Sequence, residues 1–197
     1  MKLLFFADSH GNKEAMKTLK TKSKEADGIV CAGDFTTMER DIEKIMSELD
    51  SFGKLMLMIH GNHEDEDRLK TLCKKHKNLK YIHKGVYHVG DYVFLGYGGD
   101  GFSTNDPEFE KISQRFFKKE IEGKKRIIMV THMPPHGTEL DNIEGSHRGS
   151  KSYRKFIDDI RPHLVISGHL HETAGKHQQI GRTLLINPGK NGVTVDI

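Results

Sequence analysis

The chain has 197 residues, two cysteines and a net charge of +3 from 31 basic and 28 acidic side chains. This length buries a core without crosslinks. Two cysteines exclude a disulfide scaffold or a four-cysteine zinc ribbon and fit a reducing, cytoplasmic setting, while the balanced charge does not by itself point to nucleic acid.

The longest apolar runs, such as Leu3–Ala7 and Leu55–Ile59, fall far short of the ~20 residues of a membrane span. Asp8 follows the first run at once, so no secretory segment is expected. Lys2–Ala7 reads as a buried strand. Asn12–Ser23 reads as a helix with Ala15, Met16 and Leu19 on one face. Gly28–Ala32 is a second strand, and Met38–Leu49 a helix with Met38, Ile42, Ile45 and Leu49 at helical spacing. Leu55–Ile59 is a third strand and Glu64–Lys75 a third helix. This alternation is the mark of a parallel sheet covered by helices, with right-handed connections.

The pattern then changes. Tyr81–His83, Val86–Val89 and Tyr92–Gly96 read as short strands of a hairpin or meander, with turns at Gly85 and Gly90-Asp91. Pro107 opens a helix reaching Lys119, with Phe109, Ile112, Phe116 and Phe117 inward. Arg126–Thr131, Leu164–Ser167, Thr183–Asn187 and Val193–Ile197 read as strands, with a helix over Ser150–Asp159. His136–Gly149 is a long polar loop, a kind of segment that often serves function. One domain over residues 1–197, built on two layers of strands, is the economical reading.

Five strand ends carry the same kinds of residue. They are Asp8-Ser9-His10, Gly33-Asp34, Gly61-Asn62-His63-Glu64, His132 and Gly168-His169-Leu170-His171. Ligands of open α/β sheets gather beyond the carboxyl ends of strands, so these segments can share one crevice. Gly33, Gly61 and Gly168 each precede a polar residue where glycine permits a sharp turn. Asp8 and His10 are two apart, as are His169 and His171. A regular strand would point each pair to opposite faces. Serving one site therefore takes a turn, or two metals side by side with a shared carboxylate. The oxygen and nitrogen donors suit Mn²⁺, Fe or Zn²⁺ better than Ca²⁺.

Taken in order, D-x-H, G-D, G-N-H-E, H and G-H-x-H, the constellation resembles the calcineurin-like metallophosphoesterase superfamily, over Asp8 to His171. The resemblance implies an α/β fold, a four-layer sandwich of two mixed sheets flanked by helices. It implies two divalent metal ions, Mn²⁺ first and Fe, Zn²⁺ or Ni²⁺ as alternatives. Asp8, His10 and His171 would hold one, Asn62, His132 and His169 the other, and Asp34 would bridge them. A bridging hydroxide would attack phosphorus in line, on a phosphodiester or a phosphomonoester. His63 matches the catalytic histidine that protonates the leaving oxygen or steadies the transition state.

Phosphoprotein phosphatases carry an arginine four residues after the bridging aspartate; here that position is Met38. The C-terminal third looks closer to the brain-type metallophosphoesterase-domain proteins and their microbial relatives. It shares with them Thr131-His132-Met133-Pro134-Pro135-His136-Gly137, Leu140-Asp141, Gly149-Ser150, Arg161-Pro162 and His171-Glu172.

Plainer readings stand beside these. Asp8, Ser9 and Asn12 suit caps of the first helix, and Asp34 or Thr36 of the second. His60 reads as a packed histidine, and His76, His83, His88, His163 and His177 as surface or satisfied core residues. Cys31 and Cys73 read as chemically idle. His136 and Arg148 are candidate substrate contacts, with His147 nearby, against the alternative of a solvated loop. The glycine-rich stretch Gly98–Phe102 reads as a turn. Basic runs at Lys74–Lys77 and Lys118–Arg126 read as solvated faces, because acids intervene. A small phosphate ester is therefore the expected partner. A nuclease using the same site is the alternative, and a non-catalytic metal-binding scaffold ranks below it.

Overall fold

Alternation along β1 (Lys2–Phe6) sets up the layers. Leu3 and Phe5 join one apolar cluster, Leu4 and Phe6 another, and all four are buried. The computed structural model describes residues 1–99, 103–123 and 126–197. Among these, β1 lies in a five-stranded sheet ordered β13 (Val193–Asp196), β1, β2 (Gly28–Cys31), β3 (Met56–Met58) and β4 (Leu79–Tyr81). All neighbours are parallel except β13, which runs antiparallel to β1. The second sheet has six strands, ordered β11 (His177–Ile180), β12 (Thr183–Ile186), β10 (Leu164–Ile166), β7 (Arg126–Thr131), β6 (Tyr92–Tyr97) and β5 (Gly85–Val89). Its two outer pairs are antiparallel and its three inner pairs parallel.

The sheets pack face to face. Leu3, Phe5, Val30 and Leu57 of the first meet Phe94, Ile128, Val130 and Ile166 of the second. The outer face of the first sheet is covered by α1 (Lys13–Ser23), α2 (Ile42–Asp50) and α3 (Glu66–Cys73), through Met16, Leu19, Met46 and Leu69. The outer face of the second is covered by α4 (Pro107–Ile112) and α6 (Lys151–Ile160), through Phe109, Tyr153 and Phe156. Helix, sheet, sheet, helix is the four-layer order that the motifs imply. No helix among the described residues is long and apolar enough to cross a membrane.

Several boundaries differ from the sequence reading, each for a physical reason. The helix placed from Met38 begins at Ile42. Met38 and Glu39 instead donate their N–H groups to His63 Nδ1 and the His63 carbonyl, and these tertiary bonds hold 38–41 out of the helix. The helix expected to run to Lys119 is interrupted by a wide π turn over Ser113–Phe117, followed by the three residues of α5 (Lys118–Glu120). The extra residue per turn carries Phe116 outward to 37% exposure while Phe117 stays buried. The strand placed at Tyr81–His83 is β4, two residues earlier. Lys84, not Gly85, takes the left-handed conformation before β5. The 136–149 loop contains a small hairpin of β8 (Asn142–Ile143) and β9 (Ser146–His147). β11 is an edge strand that its polar sequence His-Gln-Gln-Ile conceals. Asp100, Gly101, Phe102, Lys124 and Lys125 lie outside the described residues.

Phe94→Ala should cost about 3–5 kcal/mol, because the ring is buried between the sheets. Urea denaturation measures this, and a loss under about 1 kcal/mol would show that the sheets do not depend on it.

Candidate metal centre

Five loops leave strand ends at one edge of the sandwich, and their backbones are locked together. Asp8 N–H donates to the Gly33 carbonyl (3.1 Å), His10 N–H to that of Asp34 (3.0 Å) and Gly11 N–H to that of Phe35 (2.8 Å). Asp8, His10, Asp34 and His169 all have left-handed backbones, with φ of 57°, 46°, 51° and 70°. Non-glycine residues rarely sit there, and such strain gathers at functional sites. It also lets Asp8 and His10, two residues apart, serve the same side.

The glycines act differently from the simple expectation. Only Gly33 has a positive φ among the three (+93°). Gly61 and Gly168 are needed for close approach. A Cβ at Gly61 would overlap the Asp34 carboxylate, and one at Gly168 would lie 2.7 Å from Asp8 Oδ2.

The side chains converge in two groups around Asp34. On one side are Asp8, His10 and His171; on the other are His132 and His169, with Asn62 between their rings. Asp34 Oδ2 lies 4.0 Å from His10 Nε2 and 3.3 Å from His132 Nε2. Asn62 Oδ1 lies 3.2 Å from His132 Nε2 and 3.1 Å from His169 Nδ1. His63 Nε2 sits 3.9 Å from Asp34 Oδ2. The structure therefore brings together every residue expected as a metal ligand, and His63 beside them.

Proton placement shows what the group lacks. His10 Nδ1 is 2.8 Å from the Thr36 carbonyl and His132 Nδ1 is 2.9 Å from that of Ala32. A carbonyl only accepts, so both protons sit on Nδ1 and a neutral ring turns an Nε2 lone pair inward. His10 Nε2 then faces His171 Nε2 at 3.1 Å, which needs a proton or a cation between them. Asp8 Oδ2 is buried and has no hydrogen-bond partner. Burial raises the Asp8 pKa. Burial also opposes charge on His132, but the hydrogen bond and charge of Asp34 outweigh it and lift the ring to about 9. Asp34 is correspondingly held below its usual value, because the His132 hydrogen bond and charge overcome its own burial. The donor set is rich in lone pairs and short of positive charge, so it fits divalent cations.

Glu64 belongs to the site in a way the sequence reading did not identify. Its buried carboxylate accepts N–H bonds from Asp34 (2.9 Å), Gly61 (3.1 Å) and Thr36 (2.9 Å), and the Thr36 hydroxyl (2.7 Å). Burial raises its pKa against these bonds. It clamps the Asp34 loop to the Asn62 loop. Its place inside Gly61-Asn62-His63-Glu64 was the available signal.

The cap reading survives only at Asn12, whose Oδ1 accepts the Ala15 N–H. His60 packs against Tyr81 and His83 as a buried group, with its pKa depressed to about 4 by burial. His83 is core rather than surface. Its Nδ1 accepts the Gly98 N–H (2.7 Å), so its proton sits on Nε2, 3.4 Å from Glu66 Oε2. That proton makes the His60, Glu66 and His83 group unsuited to hold a cation.

The 136–149 loop is organised by Asp141. Its buried carboxylate accepts N–H bonds from Gly137, Thr138 and Gly149 and the His147 Nδ1 proton (2.7 Å). These bonds overcome its burial and hold its pKa below the usual 3.8. Thr173 donates its hydroxyl to the Leu140 carbonyl (2.8 Å), latching the loop to the 3₁₀ turn His171–Thr173. The His136 and His147 rings lie 5.5 Å apart. Among the described residues, no side-chain hydrogen bond or ion pair joins His136 or Arg148 to the Asp34 cluster.

The profile of a family described as calcineurin-like phosphoesterase matches residues 1–173. The uncharacterized protein MJ1162 of Methanocaldococcus jannaschii is 29% identical over 199 residues, spanning 95% of this chain and 88% of its own. The crystal structure of TT1561 of Thermus thermophilus superposes with a TM-score of 0.74 at 18% identity, covering 96% of this chain and 90% of that one. A dimetal phosphatase of Danio rerio superposes with a TM-score of 0.63 at 12% identity, covering 94% and 86%. At these identities the two structures establish a shared fold.

Two outcomes follow from the geometry. Glu64→Gln turns an amide donor toward backbone donors, and divalent-cation affinity measured by calorimetry should fall about 10–100-fold; unchanged affinity would show that the clamp does not support the site. Asp141→Asn should lower stability by about 1–3 kcal/mol near pH 7. The Asp141 pKa is depressed on folding, so its stabilisation is present above the ordinary value of 3.8 and lost as pH falls through the folded value. The gap between wild type and variant in thermal unfolding should therefore close in acid. A gap independent of pH would refute the role of the charge.

Proposed function

Because the chain belongs to the calcineurin-like phosphoesterase family, it is a hydrolase of phosphate esters, and we propose that it works through two divalent cations held side by side. Asp8, His10 and His171 would hold one, and Asn62, His132 and His169 the other. Asp34 would serve both. The observation that carries this reading is Asp34 Oδ2 facing His10 Nε2 on one side and His132 Nε2 on the other, beside the unpartnered Asp8 Oδ2. When bound, the two cations would supply an activated water and neutralise charge on the phosphoryl oxygens. Mn²⁺ is the first expectation for both.

The chain's own residues do the rest. Asn62 contributes a neutral oxygen, which limits negative charge facing an anionic substrate. His63 Nδ1 accepts the Met38 N–H (3.1 Å), so its proton sits on Nε2, the nitrogen on the Asp34 side. That N–H is a donor for a phosphoryl or leaving oxygen, the position electrostatic catalysis requires. Met38 stands 73% exposed where a phosphoprotein phosphatase carries arginine, which argues against a dedicated protein phosphatase. The substrate is a small phosphomonoester or phosphodiester. We place the chain with the brain-type branch and its microbial relatives, since Asp141, itself in that branch's pattern, draws the pattern's Gly137 and Gly149 into one folded unit.

Protein stripped of metal and resupplied with Mn²⁺, Zn²⁺, Ni²⁺ or Mg²⁺ should hydrolyse bis(4-nitrophenyl) phosphate or 4-nitrophenyl phosphate only with cation present. Asp34→Asn, checked for fold by circular dichroism, should lose more than about a hundredfold in rate. Equal rates in stripped protein, or an active Asp34→Asn, would refute the two-cation reading.

A further inference from the structure

A cleft of about 530 Å³ opens beside the cluster, between α1 and α2. His10 lines it while also turning its Nε2 toward His171, so the cleft and the Asp34 cluster share a wall. Its basic side chains are Lys13, Lys17, Arg40 and Lys44, against the acids Asp41 and Glu48. Lys17 is paired with Glu14 at 2.8 Å. Lys13, Arg40 and Lys44 are exposed and make no ion pair among the described residues. Buried Met16 and half-buried Ile45 give the cleft an apolar floor.

A surface that holds three unpaired cations within one concavity has a vacancy for an anion, and an arginine fork suits phosphate in particular. From this we infer that the cleft binds a second phosphate on the substrate, so that the natural ester is a small bisphosphorylated compound such as a nucleoside bisphosphate. The inference rests on the phosphoesterase reading above and names the substrate class of that same site. The volume accommodates one nucleotide-sized ligand, and the apolar floor accepts a sugar or base. The cations are gathered in one cleft that Asp41 and Glu48 interrupt, rather than spread as the continuous basic track that a polymer backbone follows. The cleft is also tied to the chemistry through the turn 37–41. That turn supplies Thr37, Arg40 and Asp41 to the cleft and the Met38 N–H to His63.

The test uses the full chain loaded with Mn²⁺ and two substrate pairs. One is adenosine 5′-monophosphate against adenosine 3′,5′-bisphosphate. The other is thymidine 5′-(4-nitrophenyl phosphate) with and without a 3′-phosphate. In at least one pair the added phosphate should raise kcat/KM about tenfold or more, chiefly by lowering KM, with the preference shrinking as salt rises. The double variant Arg40→Ala with Lys44→Glu should erase the preference, whereas Lys20→Glu, an exposed cation on α1 outside the cleft, should leave it intact. Calorimetry should show the same order for binding of adenosine 3′,5′-bisphosphate. A wild type indifferent to the added phosphate, or a preference that survives the double variant, overturns the inference. So does a single-stranded oligonucleotide cleaved faster than any bisphosphate, which would assign the cleft to a polymer. Absence of turnover of both bis(4-nitrophenyl) phosphate and 4-nitrophenyl phosphate would instead overturn the phosphoesterase reading, while generic turnover without bisphosphate preference overturns the cleft alone.

Discussion

Lone pairs packed against lone pairs repel unless positive charge lies between them, and the edge of this sandwich is built around that condition. His132 Nε2 lies 3.3 Å from Asp34 Oδ2 and 3.2 Å from Asn62 Oδ1, and the His10 and His171 Nε2 atoms face each other at 3.1 Å. Without a cation, protons take its place. This is why His132 is lifted to about 9 despite its burial, and why Asp34 is held low. The backbone serves the same end. Left-handed residues at Asp8, His10, Asp34 and His169 cost about 1–3 kcal/mol each, and they persist only because interlocked loops over-determine them.

That over-determination comes from both sheets. Asp8, Asp34 and Asn62 follow β1, β2 and β3 of the first sheet, while His132 and His169 follow β7 and β10 of the second. Each ligand group therefore draws on both sheets, and the packing of Phe5, Val30, Phe94 and Ile128 between the sheets sets how closely its members approach. Glu64 is the local counterpart of this packing. It ties the loop after β2 to the loop after β3 with bonds to Asp34, Thr36 and Gly61, so Asp34 cannot drift from Asn62. A core that is close-packed on this scale transmits small displacements rather than absorbing them.

The parts of this arrangement legible in the sequence are those written in short patterns. Apolar runs marked nearly every strand of both sheets, and polar strand ends marked the site, because each depends on residues adjacent in the chain. What stayed hidden depends on distant partners. Met38 to Asp41 has helical spacing, yet hydrogen bonds to His63 pull it out of the helix. Phe116 has an inward pattern that only the π turn reverses. His-Gln-Gln-Ile is a strand because β12 offers it an edge. Glu64 and Asp141 look like ordinary surface acids until the backbone donors around them are seen. Gly61 and Gly168 look like turn residues, but the side chains their missing Cβ makes room for come from elsewhere in the chain.

The segment that departs most from its sequence pattern also connects the most. The turn 37–41 holds three left-handed residues, Met38, Glu39 and Asp41. It donates to His63 Nδ1 at Met38 and to the His63 carbonyl at Glu39, and it places the Glu39 carboxylate on Asp65 N–H and Arg68. Its far side carries Arg40 into the basic cleft. One turn therefore sets the proton position on His63 and the cation position in the cleft. Straightening it into the helix that its sequence favours would remove the Nδ1 donor and withdraw Arg40 together. A helix here would gain backbone bonds within α2 and lose those to the 63–68 loop. The strained form is held by tertiary contacts, and those contacts are the ones that would make recognition of a second phosphate and reaction at the first parts of a single structural element.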